Sequence, residues 1–128
     1  DVILITNMFG DILSNLGAAM AGGLGLAGAL NVGKDHAAAN AGHGSAPDIA
    51  GKDCANPSGL IASCAMLLEW LGGRSGRAEV AAAGKAVQRA LDDVLTGAPA
   101  GRTGDLGGAA GTRAFSVAVA ERVSTAGL

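Results

Sequence analysis

Two short stretches hold the side chains best suited to chemistry. In "GDILSN", Asp11 and Asn15 stand four residues apart, which on a helix places them on one face, one turn from each other. Two oxygens so placed can share a hard divalent cation such as Mg2+ or Mn2+, whose other positions stay with water or substrate oxygens. The plainer alternative is that Asp11 opens the helix against its positive end while Asn15 is solvated. An aspartate at a helix start is common, and on spacing alone this is the more frequent case.

The second stretch is "HGSAPDIAGKDCANP", residues 43–57. Gly44 and Gly51 let a backbone come close to a ligand, and Pro47 fixes local geometry at a position that needs no donor. Asp48 offers an acceptor pair suited to the two hydroxyls of a ribose, and its charge would repel a 2′-phosphate. Asn56 presents a donor and an acceptor side by side, which suits the edge of an adenine. Equally open is a surface turn in which Asp48 and Asn56 bond their own backbone and His43 is a structural histidine. No GxGxxG follows the first expected strand, so the standard Rossmann fingerprint is missing.

The elements that must position these residues follow from periodicity. "DVILIT" (1–6) is a β-branched apolar run, expected as a buried strand. A helix follows from Asp11, with Ile12, Leu16, Ala19 and Met20 at helical spacing, fraying at Gly22-Gly23. A short strand is expected around 28–32. The 43–57 stretch reads as loop, with one helical turn around 48–51. From Leu60 to Leu71 the chain is apolar nearly all round, which predicts a buried helix stopped by Gly72-Gly73. Val80, Ala83, Val87, Ala90, Leu91 and Val94 line one face of a further amphipathic helix. "RTGDLGG" sits in a turn-rich loop, and Phe115, Val119 and Val123 mark a last helix.

Bulk properties exclude several function classes. The chain has 128 residues and a net charge of -2, with charges of both signs spread along it; that is one-domain size, and no basic stripe points to nucleic acid. The longest uncharged apolar run, 16–30, is too short and glycine-rich to span a bilayer, and no basic segment marks a signal peptide. Cys54 and Cys64 form neither a CxxC pair nor a disulfide framework; they fit a reducing cytoplasm, each as a small buried residue. The chain opens at Asp1 directly into "DVILIT", as a strand already in progress, so it is expected to be a piece of something larger.

Taken in order, "NMFGDILSN", "GGLGLAGALNVG", "HGSAPDIAGKDCANP" and "RTGDLGG" resemble the C-terminal part of the isocitrate/isopropylmalate dehydrogenase family, the metal-dependent β-decarboxylating dehydrogenases. The resemblance covers nearly all of residues 1–128. It implies an α/β fold, part of a three-layer architecture with helices packed on a mixed sheet. Asp11 matches the family's first metal-binding aspartate, and Asn15 stands where the second is usual, so weaker or more water-mediated binding of Mg2+ or Mn2+ is expected. His43, Gly44, Ser45, Ala46, Pro47, Asp48, Ile49 and Asn56 match the loop that grips the adenosine half of the dinucleotide. The Asp48-Ile49 pair matches NAD-using members; NADP-using members tend to carry a lysine and a tyrosine there. Asp105 falls in a neighbouring loop with a supporting role.

Before the histidine, family members commonly carry a glutamate-proline pair; this chain has Asn40 and Ala41, which puts tuning of the hydride step in doubt. The implied reaction is NAD-dependent oxidative decarboxylation of a 2-hydroxy acid with a β-carboxylate, such as 3-isopropylmalate, isocitrate or a tartrate- or malate-like acid. The family's substrate arginines and its proton-transferring tyrosine and lysine are not in this chain, which contains no tyrosine, so no catalytic residue is assigned. The resemblance also implies a homodimer through the helix at 11–20. Asn15 and Asn40 keep open a non-catalytic or regulatory homologue that binds nucleotide and a partner subunit, or a purely structural dimerisation piece.

Overall fold

The computed structural model describes residues 2–126. Residues 2–6 form no strand and are exposed, with Val2 at 96% and Leu4 at 98% of full accessibility. The expected buried strand is therefore corrected, and its first residue, Asp1, lies outside the described residues. A strand needs a partner for its backbone groups, and no described strand pairs with this segment.

Helix α1 (Asn7–Met20) begins one turn earlier than the pattern indicated, after extended Thr6. It ends at Met20, and the chain turns away at Gly22 and Gly23, whose φ angles of 121° and 135° are open to glycine and strained for other residues. Only Ala18 of α1 is buried. Strands β1 (Gly28–Val32) and β2 (Ala37–Ala41) pair antiparallel, from Gly28 opposite Ala41 to Val32 opposite Ala37. Among the described residues this hairpin is the sheet of the α/β fold; β2, rich in alanine, had no strand signal.

Helix α2 (Ser58–Ser75) packs on both strands and on α3 (Ala78–Thr96), which in turn meets α4 (Thr112–Thr125). The expected stop at Gly72-Gly73 is corrected: α2 runs on to Ser75 and turns at Gly76, where φ is 67°. Gly72 serves packing instead, since a Cβ there would collide with Ala81 of α3. Gly84 plays the same part from the other side; its Cβ would lie 2.7 Å from the Ala65 carbonyl oxygen. The two helices thus touch backbone to backbone. Leu60, Met66 and Leu71 are exposed, so α2 is not buried all round, and Cys54 and Cys64 are exposed rather than buried.

The apolar core lies between α3 and α4: Ala90, Leu91, Val94, Phe115 and Val119, flanked by Ile61, Ala62 and Leu95. One buried polar group organises the hairpin. The Ser63 hydroxyl accepts from the Ala29 N–H at 2.8 Å and lies 2.8 Å from the Asn40 carbonyl and 2.7 Å from that of Gly59. It bridges a facing pair of β1 and β2 to α2. At the hairpin's far end, the Arg74 guanidinium bonds Asp35 at 2.7 Å and stands 5.7 Å from the Trp70 ring centre.

Candidate functional site

The 43–57 stretch wraps one side of a cleft of about 690 Å³, within the range of small-molecule sites. His43, Gly44, Ser45, Ala46, Ile49 and Asn56 belong to its wall, and Gly51, Asp53, Cys54 and Ala55 continue it. Asp105, Thr112 and Arg113 close it from the far end of the chain. Most of this lining is small or apolar, leaving room for a planar or sugar-like group.

The short 3-10 turn Pro47–Ile49 realises the single helical turn expected nearby. Ala46 enters it in the left-handed region, at φ 40°. Pro47 and Asp48 are exposed and lie on this turn between two wall residues, without being part of the wall. His43 Nδ1 lies 2.8 Å from the Gly44 carbonyl oxygen, which can only accept, so Nδ1 is the donor of this pair.

Asn56 is engaged within the protein. Its Oδ1 accepts from the Ser58 N–H at 3.0 Å, satisfying a free donor at the start of α2, and its Nδ2 donates to Asp105 Oδ2 at 2.9 Å. Asp105 therefore supports the loop from 49 residues away. One N–H and one lone pair of the Asn56 amide remain for a ligand.

Three residues that sequence reasoning passed over fasten the loop. Asp53 adopts a left-handed conformation, φ 52°. Its carbonyl oxygen accepts from Thr112 N–H at 3.0 Å, and its Oδ1 accepts from Arg113 N–H at 2.8 Å. The Thr112 hydroxyl donates to the Ala55 carbonyl at 2.5 Å. The available signals were an aspartate after Gly51-Lys52, a residue type that tolerates left-handed φ, and a helix opening on Gly111, which has no side chain to cap it.

Asp11 and Asn15 come together with Ser14 on α1, facing Asn31 and Asn40 of the hairpin across a polar pocket of about 300 Å³. Asp11 is not in the first turn of α1, so it does not open the helix against its dipole; like Asn15, it is exposed. Asn31 Nδ2 donates to Asn40 Oδ1 at 2.9 Å, and Asn40 Nδ2 to the Ala41 carbonyl at 3.1 Å. Among the described residues no three His, Cys, Asp or Glu side chains converge on a metal position. The pocket's donor set is one carboxylate with neutral amide and hydroxyl oxygens. It suits a hard cation at a minority of its coordination positions, the rest coming from outside these residues.

Comparison with known proteins gives consistent matches along nearly the whole chain. The family model described as isocitrate/isopropylmalate dehydrogenase matches residues 1–123. An isocitrate/homoisocitrate dehydrogenase of Thermus thermophilus is 50% identical over 125 residues, which cover 98% of this chain and 35% of that protein. A 3-isopropylmalate/3-methylmalate dehydrogenase of Methanocaldococcus jannaschii is 46% identical over 123 residues, 96% of this chain and 34% of that protein. The crystal structure of a β-decarboxylating dehydrogenase from Thermococcus kodakarensis superposes with a TM-score of 0.76 at 38% identity, covering 93% of this chain and 32% of that one. The chain thus spans about a third of the length of these relatives.

Proposed function

The chain belongs to the isocitrate/isopropylmalate dehydrogenase family, and from that premise we propose that the protein carrying it oxidises a 2-hydroxy acid with a β-carboxylate and releases CO2. The cleft beside the 43–57 loop takes the adenosine half of NAD. The observation that carries this reading is the loop itself. Its wall of small residues is braced by Asn56 bonded to Asp105 and by the start of α4, a support that a plain surface turn would not need.

Each group has a part in the reading. Asp48, exposed at the lip of the cleft, receives the ribose hydroxyls and disfavours a 2′-phosphate, which selects NAD over NADP. Asp11 and Asn15 lend two oxygens to Mg2+ or Mn2+. When bound, such an ion polarises the oxygen of the carbon being oxidised. Asn31 and Asn40, hydrogen-bonded to each other, fix the pocket wall opposite α1. A second copy of the protein packs on the outer face of α1 in a homodimer.

The printed names of the relatives differ in substrate, from isocitrate and homoisocitrate to 3-isopropylmalate and 3-methylmalate. The third substituent of the acid is read by residues outside this chain. The test is NAD reduction by the full-length protein, followed by absorbance, on isocitrate, homoisocitrate, 3-isopropylmalate, tartrate and malate with and without Mn2+. Metal-dependent turnover of one of them is expected. Silence on all of them, with NAD still bound, would favour a second reading: a non-catalytic homologue that binds nucleotide and a partner. Asn15 and Asn40, both neutral in the metal-side pocket, are the observation behind that alternative.

A further inference from the structure

We propose that Asp53 is a positioning residue for the dinucleotide cleft: it clasps the 43–57 loop to the first turn of α4 and thereby sets the distance between the two walls. The inference rests on the reading of that cleft as the NAD site, and goes beyond it in assigning what holds the site open at the right width.

Four observations carry it. Asp53 is one of two non-glycine residues with positive φ among those described, a conformation that an L-residue adopts rarely and keeps where the surroundings hold it. What holds it is α4: Thr112 and Arg113 each donate a backbone N–H to Asp53, one to its carbonyl and one to its carboxylate. These are donors that a helix start leaves unsatisfied, and Gly111, the residue before α4, has no side chain to take them. Thr112 answers through its hydroxyl to Ala55, so the two strips of chain are tied in both directions. Finally, a Cβ at Gly111 would lie 2.7 Å from the Asp53 carbonyl oxygen and closer still to its carboxylate. The clasp closes because position 111 is bare.

The tied residues are themselves cleft wall. Asp53, Ala55, Thr112 and Arg113 all line it, and Asn56, three residues beyond Asp53, carries the bond to Asp105. Releasing Asp53 would let the loop drift from α4 while the helical core, built from other residues, stays packed. Aspartate suits the position because its side chain is short, its oxygen reaches the Arg113 N–H, and it tolerates left-handed φ. Asparagine shares all three properties.

The experiment measures NAD and adenosine affinity by calorimetry in the full-length protein, with thermal melting alongside, for wild type, Asp53→Asn, Asp53→Ala, Gly111→Ala and Thr112→Val. Asp53→Ala and Gly111→Ala are expected to weaken both ligands by about tenfold, the scale of one lost charge-assisted hydrogen bond. Thr112→Val should lose about threefold, as one neutral hydrogen bond. Asp53→Asn should stay within about threefold of wild type. A lowered melting temperature with unchanged affinity would make the clasp purely structural and overturn the proposal. Asp53→Asn as weak as Asp53→Ala would overturn it differently, by showing that the charge touches the ligand. Should Asp53→Ala not fold, Thr112→Val decides, and wild-type affinity there counts against the clasp. If wild type binds neither ligand, the reading of the cleft fails, and the clasp falls with it.

Discussion

At the scale of single residues, the informative side chains are those whose charge is free to act on a ligand. Asp48 is exposed on its turn and has no hydrogen-bond partner among the described residues that would compete for its carboxylate. Asp48→Lys should therefore weaken NAD and raise the relative affinity for NADP by about tenfold or more, since a repelling charge becomes a pairing one. Titrating both dinucleotides checks this, and an unchanged ratio would move Asp48 away from the ribose. On α1, Asn15→Asp would add a second carboxylate to the pocket of Asp11 and should tighten Mn2+ severalfold in calorimetry; no change would mean that this helix face is not the metal face. Glu79 supplies a pH dependence of a different kind. The Arg77 guanidinium, bonded at 2.9 Å, holds its carboxyl below the ordinary carboxylate value. A lowered folded-state value means that the contribution is complete above the unfolded pKa and is lost as pH falls through the folded one. Because the pair is exposed, the effect is small. A melting-temperature difference between wild type and Glu79→Gln, present at neutral pH, should shrink as pH falls through the carboxylate range and vanish once the carboxyl is protonated in both states.

At the scale of elements, the parts easiest to read were those whose packing uses large apolar side chains at regular spacing. Ala90, Leu91 and Val94 of α3 and Phe115 and Val119 of α4 were legible as faces and form the core. Truncating fully buried Phe115 to alanine should cost about 3–5 kcal/mol, measurable by denaturant melting. The crossing of α2 and α3 was illegible for the opposite reason: Gly72 and Gly84 contribute by having no side chain, and a glycine pair reads as a helix stop. Gly84→Val should destabilise by at least as much as an overpacked core, about 1–3 kcal/mol. The hairpin falls between these cases. Strand β1 carried a weak signal, while β2, Ala37–Ala41, is all alanine and asparagine and owes its pairing to α2. Ser63 makes that dependence concrete. Asp53 was hard to place in the same way, because it acts on a segment 60 residues away, and no local pattern records such a partner; Asp105, 49 residues from Asn56, was placed only through the family resemblance.

At the scale of the whole molecule, the distribution of apolar surface is lopsided. The core lies at one end, between α3 and α4, while Met8, Phe9, Ile12, Leu16 and Met20 of α1 are exposed together with residues 2–5. Of these, residues 2–5 read from the sequence as a buried strand and Ile12, Leu16 and Met20 as one helix face; the helical spacing holds, but no described segment covers them. A contiguous apolar patch of this kind marks an interaction surface. The proposed homodimer gives it a definite form, because a twofold contact uses the same patch on both subunits and each substitution is felt twice. Burying one leucine contributes about 1.5–3 kcal/mol. Replacing Leu16 by aspartate on both sides would forfeit that gain twice over and set two carboxylates near each other in an apolar seam. The dissociation constant of the full-length dimer should then rise by at least about a hundredfold, read by sedimentation equilibrium. Asp11 and Asn15 point to the hairpin side of the same helix, so Mn2+ binding per subunit should fall much less than dimerisation does. A Leu16→Asp protein that remains dimeric would place the subunit contact elsewhere and leave the α1 face to be covered by the rest of its own chain.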